Sequence, residues 1–225
     1  MENKLLYEEY ALEILKKYDP NAEALIHLDK PDLQSSQYNV EVMILVTEDL
    51  AHLTGIIDNA SRKDPDHYKN KNLEKKISEI PDTYLIYTEE SNIRYIPNNG
   101  KIRACLVKKY RNKLFELNEY DISQCNLFIC VEECPSDLNS TNYNFTTDNY
   151  YLYLNLFKEV NESFVSEWVK SRKKVPKLYT EIILNNKLSL VKLNIKDETI
   201  RIIDIDRTFA ESVLSKLYEK YDGRR

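Results

Sequence analysis

Two acids nine residues apart carry the chemistry of this sequence. Asp32 follows Pro31 and precedes a polar turn. Glu41 lies inside the run Val40-Glu41-Val42-Met43-Ile44-Leu45-Val46-Thr47. A Val/Ile/Leu-rich run of this length reads as a central strand covered on both faces. A carboxylate there is costly unless a cation or a hydrogen-bond donor compensates it. Pro31 pins the chain as it enters the turn. Two carboxylates brought together by a strand-turn-strand can bind Mg²⁺ or Mn²⁺, which prefer oxygen ligands. The structural alternative is a Glu41 paired with a lysine or set at a wetter strand end.

The elements that must position these acids read as α/β. Leu5 to Tyr18 carries apolar residues at 6, 10, 11, 14, 15 and 18, the spacing of an amphipathic helix. Asp19-Pro20 ends it. Ala22 to Leu28 and Asn39 to Thr47 read as paired strands, which would set Asp32 and Glu41 near one end of the pair. Glu48-Asp49 opens a helix to about Ala60, acids favouring its positive N-terminus. Lys63 to Asn72 reads as a loop and Leu73 to Glu79 as a short helix. Thr83 to Thr88 is a β-rich run that would form the third strand of the sheet. Lys101 to Leu117 reads as a basic helix with Ile102, Leu106, Tyr110, Leu114 and Leu117 on its apolar stripe. Asn126 to Glu133 is an apolar strand, so that strand, helix and strand fit a parallel crossover. Thr147-Asp148 caps a helix through Phe157, and Glu162 to Ser171 extends the helical region. Tyr179 to Leu184, Leu188 to Ile195 and Thr199 to Ile205 read as late strands, with a hairpin turn at Asn185-Asn186. Phe209 to Tyr221 closes as a helix. No repeat or linker stands out, and 225 residues fit one domain spanning 1–225.

Composition narrows the function classes. Hydrophobic residues make up 42% and charged residues 31%, the balance of a globular chain. Seventeen tyrosines against three glycines argue against a glycine-rich phosphate cradle, and no such motif occurs. No apolar run of about 18 residues exists, so no membrane-spanning helix is expected. The first residues lack the basic and apolar blocks of a signal peptide, which predicts a cytoplasmic chain. Cys105, Cys125, Cys130 and Cys134 lack zinc spacing and read as free thiols. The net charge of −5 does not announce a nucleic-acid binder. Its distribution is more informative. Lys101, Arg103, Lys108, Lys109, Arg111 and Lys113 cluster in the basic helix, and Lys170, Arg172, Lys173, Lys174 and Lys177 form a second group. Either can meet phosphates or be a solvated face.

Pro31-Asp32 and Glu41-Val42-Met43 together resemble the motif of the PD-(D/E)XK nuclease superfamily, the restriction-endonuclease-like fold. Many members carry a glutamate in the first helix, and here Glu8 or Glu9 precedes Tyr10-Ala11-Leu12. The chain departs at the third motif position, where Met43 replaces lysine. The resemblance covers roughly the first fifty residues with recognisable motifs. It implies a three-layer sandwich, a central mixed sheet flanked by helices, with the metal ligands emerging where two central strands diverge and a crossover helix following.

The chemistry so implied is metal-dependent phosphodiester hydrolysis of nucleic acid, DNA or RNA. Asp32 and Glu41 would hold Mg²⁺ (or Mn²⁺), with Glu9 as a third acid. Met43 cannot orient a water or stabilise the transition state. A lysine from elsewhere must do so, with Lys30 and Lys109 as first candidates and Lys108 and Lys113 as further ones. Otherwise the site is catalytically dead and the fold serves binding or interaction. Lys101, Arg103, Lys108, Arg111 and Lys113 are the expected phosphate contacts, and the resemblance implies a homodimer. Weaker features are read as structural: His27 as a strand residue with a polar partner, Trp168 as core, the Tyr150-Tyr151-Leu152-Tyr153 run as packing, and Asp204 and Asp206 as solvated acids at a strand end.

Overall fold

The computed structural model describes residues 2–46, 84–87, 93–96, 99–122, 124–131, 147–186 and 188–222. Helix α1 (Glu2–Tyr18) forms where the periodicity places it, and its stripe of Leu6, Tyr10, Ala11, Ile14 and Leu15 is buried. Lys16 and Lys17 in its last turn suit the negative end of the helix dipole. Asp19 then caps a 3₁₀ turn, Pro20–Ala22, by accepting from the Asn21 amide at 3.1 Å.

Strand β1 is Ile26–His27 only, not the seven residues expected from Ala22. Capping by Asp19, with Pro20 at the first helical position, turns the chain inward instead and buries Ala22 and Leu25. Strand β2 is Leu33–Gln34 and β3 is Asn39–Leu45. Strands β4 (Tyr84–Tyr87) and β5 (Ile93–Ile96) pair antiparallel as a sheet of their own. Within the Thr83 to Thr88 run, Tyr84–Tyr87 is therefore not a strand of the seven-stranded sheet. Two β-rich runs so close in sequence pair locally at small loop-closure cost. Helix α2 is Asn99–Leu117, β6 is Asn126–Val131 and α3 is Thr147–Arg172. Helix α3 is a single helix because Tyr153, Leu154, Phe157, Val160, Phe164 and Trp168 continue one buried stripe. Strands β7 (Ile182–Asn185), β8 (Ser189–Asn194) and β9 (Thr199–Asp204) and helix α4 (Arg207–Asp222) follow. The Asn186 side chain builds the β7–β8 turn by accepting from the Leu188 and Ser189 amides at 3.1 and 2.8 Å. The segments expected as helices before Thr83 and as a loop between them lie outside the described residues.

The main sheet has seven strands in the order β1-β2-β3-β6-β7-β8-β9. Its β3–β6 and β6–β7 pairs are parallel and the other four are antiparallel. The fold class is thus α/β with a mixed sheet. Contacts within the chain divide it into two compact units, one of Met1–Leu45, Val107–Glu132 and Asn144–Arg225, the other of Val46–Leu106 and Glu133–Tyr143. The seven-stranded sheet belongs to the first.

Alternation along β3 sorts its side chains between two layers. Val40 and Val42 join the core beneath α1 and α4, together with Phe128, Cys130, Ile183 and Leu190. Glu41 turns to the other face, where Lys113 of α2 meets it. Helix α3 packs on α2 through Tyr110 and Phe157, rings 4.8 Å apart and edge-on, and through Phe115 and Phe164 at 5.0 Å. Each fully buried Leu or Phe in these layers contributes ~1.5–3 kcal/mol. No described helix is long and apolar enough to cross a membrane.

Candidate active site

The register brings the two motif acids together. Leu33 pairs with Val40, so the next position along the ladder sets Asp32 across from Glu41. Both are 2% exposed. Strand β2 stops at this point while β3 runs on to Leu45, and among the described residues no strand pairs with the β2 side of β3 beyond Val40. Side chains take over that edge. Asp32 Oδ2 accepts from the Val42 amide at 2.8 Å, and Lys109 Nζ donates to the Ile44 carbonyl at 2.9 Å. The edge borders a groove of about 300 Å³ lined by Lys4, Val42, Met43, Ile44, Lys109, Asn112, Lys113 and Glu116.

Each acid has its own cation. Lys113 Nζ lies 2.5 Å from Glu41 Oε1 and 2.8 Å from Glu116 Oε2. Glu41 Oε2 is buried and has no hydrogen-bond partner among the described residues. Lys4 Nζ, at the start of α1, bridges Asp32 Oδ1 at 2.8 Å and Glu8 Oε1 at 2.9 Å. Glu8 Oε2 in turn lies 2.5 Å from His27 Nε2, which gives His27 the polar partner expected of it.

Burial and charge together set the protonation states. Burial pushes the Glu41 carboxyl up, Lys113 opposes this, and Asp32 adds to it. Burial alone would lower Lys113, yet the Glu41 and Glu116 carboxylates raise it, so its ammonium keeps the proton. Lys113 is thus a fixed positive charge and not a base. Burial raises the Tyr120 phenol, as do the carboxylates of Glu41, Glu116 and Asp32. Burial, then Glu41, pushes the Cys125 thiol up to about 12. Lys4 is raised because Asp32 and Glu8 outweigh its partial burial.

Not every expected residue reaches the acids. Glu9 is bound by α4 instead: Lys220 Nζ donates to its Oε1 and Oε2 at 2.8 and 2.6 Å, and the Tyr221 hydroxyl donates to its Oε1 at 2.6 Å. Glu8, one residue earlier, points to the site. Lys30 is exposed, forms a cis peptide with Pro31 and makes no ion pair with either acid. Lys109 is near but binds backbone. Met43 is buried on the face of Glu41. Of the basic-helix residues expected on phosphate, Lys113 is the one held by Glu41. Arg111 pairs with Glu167 of α3, Lys108 is exposed, and Lys101 and Arg103 lie in the part of α2 that belongs to the second unit. Lys4 was missed by sequence reasoning. Its signal is the i,i+4 spacing to Glu8, which pairs oppositely charged residues on one helix face.

The weaker features are accounted for structurally. Asp206 caps α4, accepting from the Thr208 amide at 2.9 Å. Trp168 is buried, with Arg172 over its ring at 4.1 Å. Tyr150 and Tyr153 are buried, whereas Tyr151 and Leu152 are exposed. Cys105, Cys125 and Cys130 are in no disulfide, and Cys134 lies outside the described residues. Among the described residues no group of three or more His, Cys, Asp or Glu side chains is arranged to hold a metal ion.

Comparison of the chain with family models, with curated proteins and with solved structures finds no match in any of the three. The functional reading therefore rests on the site itself.

Proposed function

We propose that this chain is a divalent-metal-dependent phosphodiesterase of nucleic acid, with a restriction-endonuclease-like fold in its first unit. The observation that carries the reading is Lys113. Its ammonium sits on Glu41 Oε1 from the helix that crosses between two parallel strands, and it supplies the cation that Met43 cannot. The element order supports the same reading: a first helix, three antiparallel strands with acids where β2 and β3 part, and, after the separate β4–β5 pair, a helix leading into the parallel strand β6.

The residues present fit a small hard cation. Mg²⁺ is commonly held by one or two carboxylates with water completing its shell. Asp32 and Glu41 offer two, and Oε2 of Glu41 is a buried acceptor without a close hydrogen bond, with the Tyr120 phenol as a neighbour of the same carboxylate. When bound, such an ion lowers the pKa of a water and screens phosphate charge. The protein's own groups do the rest. Lys113 holds Glu41 in place and faces negative charge as it develops on phosphate. Lys4 and Lys109 line the groove and favour a polyanion there.

A mixed DNA and RNA panel with Mg²⁺ or Mn²⁺ tests this. Cleavage should vanish in Asp32→Ala and Glu41→Ala. It should fall by roughly 10²–10³ in Lys113→Ala, the usual cost of one charge-stabilising group. A wild type that cuts nothing, or a Lys113→Ala that cuts as well as wild type, removes the enzymatic reading. Two features favour the alternative of a catalytically inactive nuclease-like binding protein: Asp32 already has both oxygens occupied, and Glu41 is paired with a lysine, as the structural reading of that acid expects. Nucleic-acid binding by a metal-indifferent wild type is the result that selects it.

A further inference from the structure

We infer that Lys4 is a tethered counter-ion that holds the place of the divalent cation at Asp32 and leaves it when the metal binds, an inference that rests on the metal-dependent reading above. Its ammonium spans one oxygen of Glu8 and one of Asp32, at 2.9 and 2.8 Å. The two carboxylates are nearly sealed, with 6% and 2% of their side chains exposed, while the Lys4 side chain is 55% exposed. The acids are fixed and the cation is the movable member. Asp32 Oδ2 is anchored to the Val42 amide, which aims Oδ1 at whatever cation is present. Glu41 Oε2, buried on the neighbouring strand, makes no close hydrogen bond and is met by none of the lysines, its carboxylate having the Tyr120 phenol nearby. One ammonium with a single positive charge therefore serves only part of a site that a doubly charged ion would serve better.

Position on the helix strengthens the argument. A lysine in the first turns of α1 opposes the helix dipole, whose N-terminus is positive. It is kept there by the acids alone. Once a divalent ion neutralises them, both the dipole and the ion repel the ammonium. Lys4 already lines the groove along β3, so the released charge remains beside the phosphate path. The device prevents two buried carboxylates from facing each other bare when metal is scarce, and it adds a cation to the groove when metal arrives.

Competition by a tethered group weakens apparent affinity in proportion to its occupancy. A Lys4 in place nine-tenths of the time makes Mn²⁺ bind about tenfold more weakly than to the open site. Calorimetric titration of Mn²⁺ into the full chain tests this. Lys4→Gln should bind about tenfold more tightly than wild type, and Asp32→Asn in the Lys4→Gln background should bind none. Equal or weaker binding by Lys4→Gln overturns the inference while leaving the metal site standing. Binding that survives Asp32→Asn places the ion elsewhere and overturns it too. No binding by either wild type or Lys4→Gln removes both the inference and the reading beneath it. Should Lys4→Gln fail to fold, the wild type still decides. Amine acylation at Lys4, read by mass spectrometry, should rise several-fold on adding Mn²⁺, and unchanged or reduced labelling overturns the displacement.

Discussion

Lys113 of α2 places its ammonium 2.5 Å from Glu41 of β3, across the interface between the crossover helix and the sheet. Glu41 is buried and Lys113 nearly so, with 2% and 14% of the side chains exposed. It fastens α2 to the strand that carries the motif acid, so the group needed for chemistry also fixes the geometry.

Breaking that pair from the lysine side should be severe. Lys113→Met leaves Glu41 and its already unpartnered oxygen without a cation, at a cost of ~3–5 kcal/mol. Replacing both partners in Lys113→Met/Glu41→Leu removes the buried charges together and should recover most of that loss. Urea denaturation of the three proteins measures it. A double variant no more stable than Lys113→Met would mean that packing, not charge, sets the cost.

A second buried pair gives the chain an acid-sensitive contact. Burial opposes the charge on Asp19, but Lys192 at 2.7 Å and the Tyr38 hydroxyl at 2.7 Å win and hold it below the usual carboxylate range. A depressed pKa stabilises above the unfolded value, and that stability is lost as pH falls through the folded value. Asp19→Asn should therefore cost about 1–3 kcal/mol at neutral pH, the loss of one charged contact, since Lys192 keeps Glu181 at 3.2 Å as a second partner. The gap from wild type should shrink as pH drops below the ordinary aspartate range. Denaturation midpoints of both proteins against pH report it, and a gap constant down to the lowest pH would refute it.

Much of this was legible in the sequence where period and cost were both strong. The α1 stripe and the acid within β3 were plain because burial of each is dictated by spacing. The β7–β8 turn was placed from Asn185-Asn186 to within a residue, Asn185 being the last residue of β7 and Asn186 the one that builds the turn. What the sequence withheld was rotation. Glu8 and Glu9 differ by about 100° around the helix, and only the packing of α4 decides that Glu9 goes to Lys220. Lys109 and Lys113 share one face of α2 and differ by a turn, so the distance along the sheet decides which meets Glu41. The β1 strand was overread because the cap at Asp19 competes with extended pairing through a hydrogen bond that propensity does not count.

Cys125 should be chemically silent. Its thiol is buried, pushed up to about 12 and directed at the Asn126 carbonyl. At pH 8 the thiolate fraction is then on the order of one in ten thousand. Site-resolved alkylation should find Cys125 unmodified in the native chain and labelled within minutes in urea. Rapid native labelling would show that the floor beneath Glu41 opens to solvent.

The last prediction separates what Asp32 does for the fold from what it does for a cation. Its Oδ2 accepts from the Val42 amide, on the side of β3 where no described strand pairs, and its Oδ1 meets Lys4. Asp32→Ala removes both contacts and leaves the Val42 amide unsatisfied, worth about 1–3 kcal/mol. Asp32→Asn keeps a carbonyl oxygen that can still accept from Val42 while losing the charge that attracts Lys4. Hydrogen exchange should show the Val42 amide protected in wild type and in Asp32→Asn, and fast in Asp32→Ala. Asp32→Asn is then the variant of choice for cleavage and binding assays, since its defect lies in charge and not in the edge of β3. Equal exchange at Val42 in all three proteins would mean that this carboxylate does not close the edge of β3. The loss of activity in Asp32→Ala would then have to be read without it.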